Sequence, residues 1–290
     1  MPGLLVAVSS YAQEADRIVF KFVDAEVAQG GTKVFRGVEA DPRYFRNILV
    51  TDFDLLKKSD DYCTATLVGP EAVLTAAHCM VDGSGGLRPA AVQIDGKNWD
   101  LACMRSDRQK TDWSFDYLLC RLKPPPNAKL LPGDMFFDSV DTRPVTEDEP
   151  VLLVGYGCES MSLDADRQIV PGPKSRSFRI GDEKVAKASG ASLAILINSD
   201  GSEPALCPGD SGGPLMTGIT TKSQEAERSV RGINFSVAGG SGNVKYRSTV
   251  VALSHPVFAD LLKAWRAANP GALVCEIVGD PAKDHKGRCL

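Results

Sequence analysis

The sequence predicts an all-β protein that ends in a single helix. Short apolar runs follow one another along most of the chain, each closed by a cluster of Gly, Pro, Asp or Asn. No apolar stretch reaches the ~20 residues that a membrane span needs. Helical spacing of apolar residues is convincing only late, where Val257, Leu261, Leu262 and Trp265 share one face.

In chain order, Asn47 to Val50, Thr64 to Val68, Ala72 to Thr75, Ala91 to Ile94 and Tyr117 to Leu122 read as strands. Turns are expected at Asp82 to Gly86 and Asp95 to Asn98. Pro124-Pro125-Pro126-Asn127 cannot continue a strand and reads as the start of a linker. The strand rhythm then resumes at Val151 to Gly155, Ser177 to Ile180, Leu193 to Ile197, Pro214 to Met216 and Gly232 to Val237. Ser254 is the expected cap of the late helix, with Pro256 in its first turn. An irregular tail holding Cys275 and Cys289 follows. There is no internal repeat and no low-complexity segment.

Composition narrows the function classes. The chain has 290 residues, of which 43% are hydrophobic and 24% charged, enough for one large core or two medium ones. Its net charge of −4, with basic and acidic residues interleaved, offers no field for nucleic acid. Eight cysteines without a Cys-x-x-Cys pair suit disulfides in an oxidising compartment, so a secreted or periplasmic protein is expected. Leu4 to Val8 followed by Ser10-Tyr11-Ala12 is either the remnant of a signal peptide or a disordered end. Gln29-Gly30-Gly31-Thr32-Lys33 reads as an exposed junction. No group of Asp, Glu or His has metal-ligand spacing, and no cofactor is implied.

The chemistry concentrates in two strings. In Cys207-Pro208-Gly209-Asp210-Ser211-Gly212-Gly213-Pro214, a serine stands among glycines that let the N–H groups of Gly209 and Ser211 point into one cavity. A serine hydroxyl is a weak nucleophile and needs such donors for its oxyanion, together with a base for its proton. The chain has three histidines. His285 lies in the charged tail and His255 at the helix start, both unremarkable settings. His78 lies in Thr75-Ala76-Ala77-His78-Cys79, directly after an apolar strand, with small neighbours that leave its ring room.

With these two strings the chain resembles the chymotrypsin/trypsin family of serine proteases. The resemblance covers roughly Val34 to Trp265 and implies a triad of His78, Asp116 and Ser211. Asp116 opens the apolar run Tyr117 to Leu122 as the family's aspartate does; Asp112 is the alternative. It also implies two packed antiparallel β-barrels, residues 34–135 carrying His78 and Asp116 and residues 136–265 carrying Ser211 and the helix. Residues 1–33 are then a signal remnant and pro-segment, and residues 266–290 a disulfide-containing tail. Cys63 with Cys79 matches the family's staple of the histidine loop. The family's usual disulfide from the nucleophile string to a cysteine shortly downstream cannot form, because none occurs between Cys207 and Cys275. Cys158 is the suggested partner of Cys207, with Cys103–Cys120 and Cys275–Cys289 completing the set.

The family's pocket floor falls at Ala205 and Leu206, with the facing wall, including Ser236, somewhere in Phe235 to Gly240. That floor implies cleavage after apolar or small residues; Glu203 is the acid that would instead favour Lys or Arg. Cleavage after Lys33 would free Val34 to pair its α-amino group with Asp210. The expected partners are polypeptide substrates and a proteinaceous inhibitor, and the expected state is a monomer. The competing reading is a catalytically silent binding protein. An α/β-hydrolase is excluded by the order His, Asp, Ser.

Overall fold

Buried β-branched and leucine runs, each stopped by a turn residue, supply the strands, and their pairing order makes two units. A computed structural model describes residues 17–22, 34–51, 62–125, 137–173, 178–188, 193–277 and 288–289. The first half holds β1 (Ile18–Phe22), β2 (Val38–Glu39), β3 (Ile48–Thr51), β4 (Thr64–Gly69), β5 (Ala72–Ala76), β6 (Ala90–Ile94), β7 (Lys97–Arg105) and β8 (Tyr117–Lys123). Next come β9 (Ser139–Val140), β10 (Pro150–Gly155), β11 (Met161–Leu163), β12 (Ile169–Pro171), β13 (Arg179–Lys184) and β14 (Ala194–Ser199). The last are β15 (Pro214–Thr217), β16 (Ser229–Gly239), β17 (Tyr246–Ala252), helix α1 (Pro256–Ala268), β18 (Cys275–Glu276) and β19 (Arg288–Cys289).

The first unit is a closed barrel in the order β1-β3-β4-β5-β8-β7-β6. Its interior is filled by Phe20, Leu49, Leu67, Val73, Val92 and Leu118, all buried. The second unit is a ten-stranded sheet that curls without closing among the described residues. The fold is therefore the expected all-β pair of units, a barrel and a half-barrel, with a C-terminal helix. Helix α1 packs Phe258, Leu261, Leu262 and Trp265 against the first barrel's core. Its cap is His255, whose ring nitrogen accepts from the Val257 N–H at 3.2 Å, rather than the Ser254 expected from sequence.

Ile18–Phe22 corrects the expected boundary at residue 34. This stretch is a barrel strand, antiparallel to β3 and parallel to β6. Apart from Arg17, the other residues of the 1–33 segment, Lys33 among them, lie outside the described residues, as does His285. So does the linker beyond Pro125, up to residue 136.

Among the described residues the disulfides Cys63–Cys79, Cys103–Cys120 and Cys158–Cys207 are formed. The first closes a 16-residue separation, a constraint worth on the order of 3 kcal/mol. Cys275 is also disulfide-bonded, and its backbone pairs opposite Cys289. The units are pinned together where Asn47, just before β3, meets a buried ion pair of the second unit. Arg228 donates to Asp138 at 2.6 Å and to Asn47 at 2.9 Å, with both charged side chains nearly inaccessible.

One buried carboxyl works against the fold. Glu183 on β13 has an oxygen, Oε1, that is buried without a hydrogen-bond partner. Burial, reinforced by Glu203, pushes its pKa up to about 8. The unfolded carboxyl keeps its ordinary value, so the unfolded chain releases this proton first and stability falls as pH rises from 4.5 towards about 8. Glu183→Gln should therefore raise the unfolding free energy read from urea denaturation at about pH 9, by about 1 kcal/mol once solvent screening is allowed for. The gain should vanish near pH 4; a gain that does not change with pH would contradict this account.

Candidate active site

His78 is delivered by β5, every residue of which is buried. The strand ends in a tight turn, Ala77–Cys79, and the small side chains of Ala76 and Ala77 leave the ring 29% exposed at the seam. Asp116 precedes β8 and is wholly buried. Its Oδ1 accepts the backbone N–H of His78 at 2.7 Å, and its Oδ2 lies 2.5 Å from His78 Nδ1. With Nδ1–H directed at the carboxylate, Nε2 is left as a free acceptor, the tautomer a general base requires. Asp112 is exposed and accepts from the N–H and hydroxyl of Ser114 instead. Of the two candidates, Asp116 is the one that meets His78.

Ser211 sits in a turn whose backbone is fixed almost atom by atom. The Asp210 N–H donates to the Cys207 carbonyl at 2.9 Å, and the Gly213 N–H to the Asp210 carbonyl at 3.0 Å. Gly209 and Gly212 have φ of 111° and 80°, a region that side chains resist. A Cβ on Gly212 would come within 2.3 Å of Thr64 O. Asp210 is buried; its Oδ2 accepts the Cys207 N–H at 2.8 Å. Its carboxylate fills the space left by Gly155 and Gly157, where a Cβ would fall 2.1 and 2.7 Å from Oδ1.

Two residues that sequence reading missed hold this turn in register with His78. Thr64, on β4 of the barrel, donates its N–H to Ser211 O at 2.8 Å and its hydroxyl to Gly209 O at 3.2 Å. Its own carbonyl accepts from Thr75 Oγ1 at 2.8 Å. From the other side, Asn234 on β16 exchanges backbone bonds with Gly212 and Gly213, both 2.8 Å, and donates its side-chain amide to Val154 O at 2.8 Å. Neither carries a sequence signal: each is an isolated polar residue in a strand.

Of the residues assigned to the pocket, Ala205 and Leu206 are buried, and the Leu206 N–H donates to Ser248 Oγ at 2.9 Å. Ser236 is exposed, just past a bulge in β16. Phe235 sets its ring edge-on to His78, centroids 5.9 Å apart. Asn234-Phe235-Ser236 is thus the stretch that runs between the Ser211 turn and His78. Glu203 is exposed and acts on the buried Glu183. Val34 is buried among Val151, Leu153, Leu206 and Leu215 of the second unit, and the Phe35 carbonyl accepts from the Ala205 N–H at 3.0 Å. Cys63, His78 and Cys79 cluster closely enough to suggest a metal site, but the sulfurs are joined to each other and offer no thiolate.

Residues 51–255, well over half of the chain, match the family model for trypsin. The chain belongs to the trypsin family. Snake venom serine proteinase 14 of Crotalus adamanteus is 26% identical over 232 residues, covering 74% of this chain and 78% of that protein. Inactive snake venom serine proteinase 13 of the same snake is 25% identical over 236 residues, with the same coverage. A doubly substituted form of human heparin binding protein shares the fold, with a TM-score of 0.55 at 17% identity over 81% of this chain and 97% of that one. Trypsin-family membership thus includes relatives named as proteinases and one named as inactive.

The Thr64 hydroxyl should matter to turnover more than to folding. Thr64→Val removes its bond to the Gly209 carbonyl while keeping shape and backbone. It should lower kcat on a peptide substrate about tenfold with KM little changed, whereas Thr64→Ser should retain most of the rate. Equal kinetics in all three proteins would show that the hydroxyl is not needed.

Proposed function

We propose that this trypsin-family protein is a serine endopeptidase that acts outside the cell. The observation that carries the reading is the double contact of Asp116 with His78, which turns Nε2 away from the carboxylate, on the barrel whose Thr64 holds the Ser211 turn. In the proposed sequence Ser211 Oγ attacks the scissile carbonyl carbon as His78 Nε2 takes its proton. The N–H groups of Gly209 and Ser211 donate to the oxyanion, and the protonated His78 then gives its proton to the leaving amine. Water, deprotonated by the same ring, releases the acyl group and restores Ser211. Asp116 orients the ring and stabilises the imidazolium throughout. The disulfides and the likeness to venom proteinases support export to the extracellular space; neither favours a periplasmic location.

The likeness to a proteinase named as inactive keeps a second reading alive, a silent scaffold that binds a partner. Labelling by a fluorophosphonate, which needs an activated serine, separates the two. The wild type should label and Ser211→Ala should not. His78→Ala should lose nearly as much activity as the double variant, because the two residues share one step. A wild type that neither labels nor cleaves peptides would favour the silent scaffold.

For specificity, Ala205 and Leu206 at the floor support a preference for apolar or small residues before the cut. Nothing there would pair a cation, and a buried unpaired Lys or Arg costs several kcal/mol. Matched peptides ending in Arg, Phe, Leu and Ala should rank with Arg last in kcat/KM; a strong preference for Arg would give Glu203 the role of pairing it.

For activation, we infer a cut after Lys33 that lets the Val34 α-amino group pair with Asp210. Support comes from Val34 itself, which is already seated in the core at φ 47°, strained for a β-branched residue. The cut would add a charge and relieve that strain. Protein cut after Lys33 should outpace intact protein, and Asp210→Asn should remove the gain. Full activity in the intact chain would show that no cut is needed.

A further inference from the structure

Strand β1 lies upstream of Lys33, yet it is built into the barrel that carries His78. Its residues pair on both sides: Phe20 opposite Thr51 and Phe22 opposite Leu49 on β3, Ile18 beside Ala90 and Phe20 beside Val92 on β6. The Ile18 N–H donates to Pro89 O at 3.0 Å, extending the β6 ladder. Ile18, Val19 and Phe20 are all buried, so both faces of the strand are covered. Arg17 forms an ion pair with Asp100 of β7 at the rim. The first cysteine in the sequence is Cys63, so nothing covalent other than the chain itself ties this segment down. The next described residues, Val34 and Phe35, already belong to the second unit.

We propose that the N-terminal segment is a lasting strand of the catalytic unit. When the chain is cut between Phe22 and Val34, the segment stays in the slot between β3 and β6 as a second, non-covalent chain. The slot fits one kind of partner, an extended apolar hexapeptide with a cation at its first position, which is Arg17 to Phe22 of this chain. Without it, β3 and β6 would each present an unpaired row of N–H and C=O groups. β3 is the neighbour of β4, which carries Thr64, and β4 is the neighbour of β5, which leads to His78. Loss of the segment therefore loosens the histidine half of the site. The inference builds on the proposed cut after Lys33 but holds for a cut at any bond between the two units.

The test uses full-length protein with a viral protease recognition site placed within residues 23–33. After cutting, the two pieces should co-elute in size exclusion and appear as one species by native mass spectrometry. They should separate in urea without reductant. In the cut form of Phe20→Ala, or of the milder Arg17→Ala, the small piece should dissociate at least tenfold more readily. Fluorophosphonate labelling should fall as it leaves, and recover when a synthetic peptide of residues 14–25 is added in excess. Release of the wild-type segment on simple dilution would overturn the proposal, as would undiminished labelling and thermal midpoint once it has gone. Should uncut wild type fail to label, the protease reading fails, while co-elution and the thermal midpoint still decide the fate of the strand.

Discussion

In the proposed mechanism a nucleophile on one unit and its base on the other must hold their separation to a fraction of an ångström, and Thr64 spans the seam between them. Its N–H and hydroxyl reach two carbonyls of the same turn, those of Ser211 and Gly209. Two bonds from one residue fix a peptide segment against rotation as well as translation, which one bond cannot do. Thr75 then holds the Thr64 carbonyl, tying the contact to the strand that delivers His78. The absence of a side chain at Gly212 is a consequence: the turn approaches Thr64 and Thr75 so closely that a Cβ has no place. The catalytic geometry is thus a property of the seam between the units.

The two units solve the edge problem differently, and this shapes the seam. The first closes into a barrel, so its strands cannot splay without breaking a ladder. The second remains open among the described residues and is braced from outside. Asn234 locks its central strand to the catalytic turn, and Arg228, paired with Asp138, reaches across to Asn47. A buried ion pair of this kind is a weak source of net stability but a strong source of register, because misaligned partners would leave charges unpaired. A closed barrel carrying His78 and a braced half-barrel carrying Ser211 suit the proposed reaction, in which only the substrate needs to move.

How much of this was legible in the sequence depended on the kind of signal. Strands with unbroken apolar runs, such as Thr64–Gly69 and Ala72–Ala76, could be read directly, as could the apolar face of the helix. Lys97–Arg105 and Tyr246–Ala252 were missed because charged and polar residues interrupt them; their partners in the sheet, not their composition, make them strands. Ile18–Phe22 was seen as apolar but assigned to a pro-segment, since nothing local tells that its ladder partners lie tens of residues downstream. At the site, the eight-residue string around Ser211 and the five around His78 announced themselves. Thr64 and Asn234 did not, because a single polar residue acquires its role only from what the fold places opposite it.

Asp210 shows how several such features answer one demand. Its carboxylate is buried between the nucleophile turn and the loop that follows β10, and burying a charge is costly unless its surroundings are arranged for it. Gly155 and Gly157 supply the room, since any side chain there would overlap the carboxylate. The Cys207 N–H supplies a donor at 2.8 Å. The Cys158–Cys207 disulfide then joins the two loops that form this cradle, so neither can withdraw and leave the charge in an apolar void. With no cysteine between Cys207 and Cys275, the bridge from the nucleophile turn has to run back to the glycine loop. The departure from the family's usual pairing thereby places the covalent constraint directly across the buried carboxylate of Asp210, the residue that precedes Ser211.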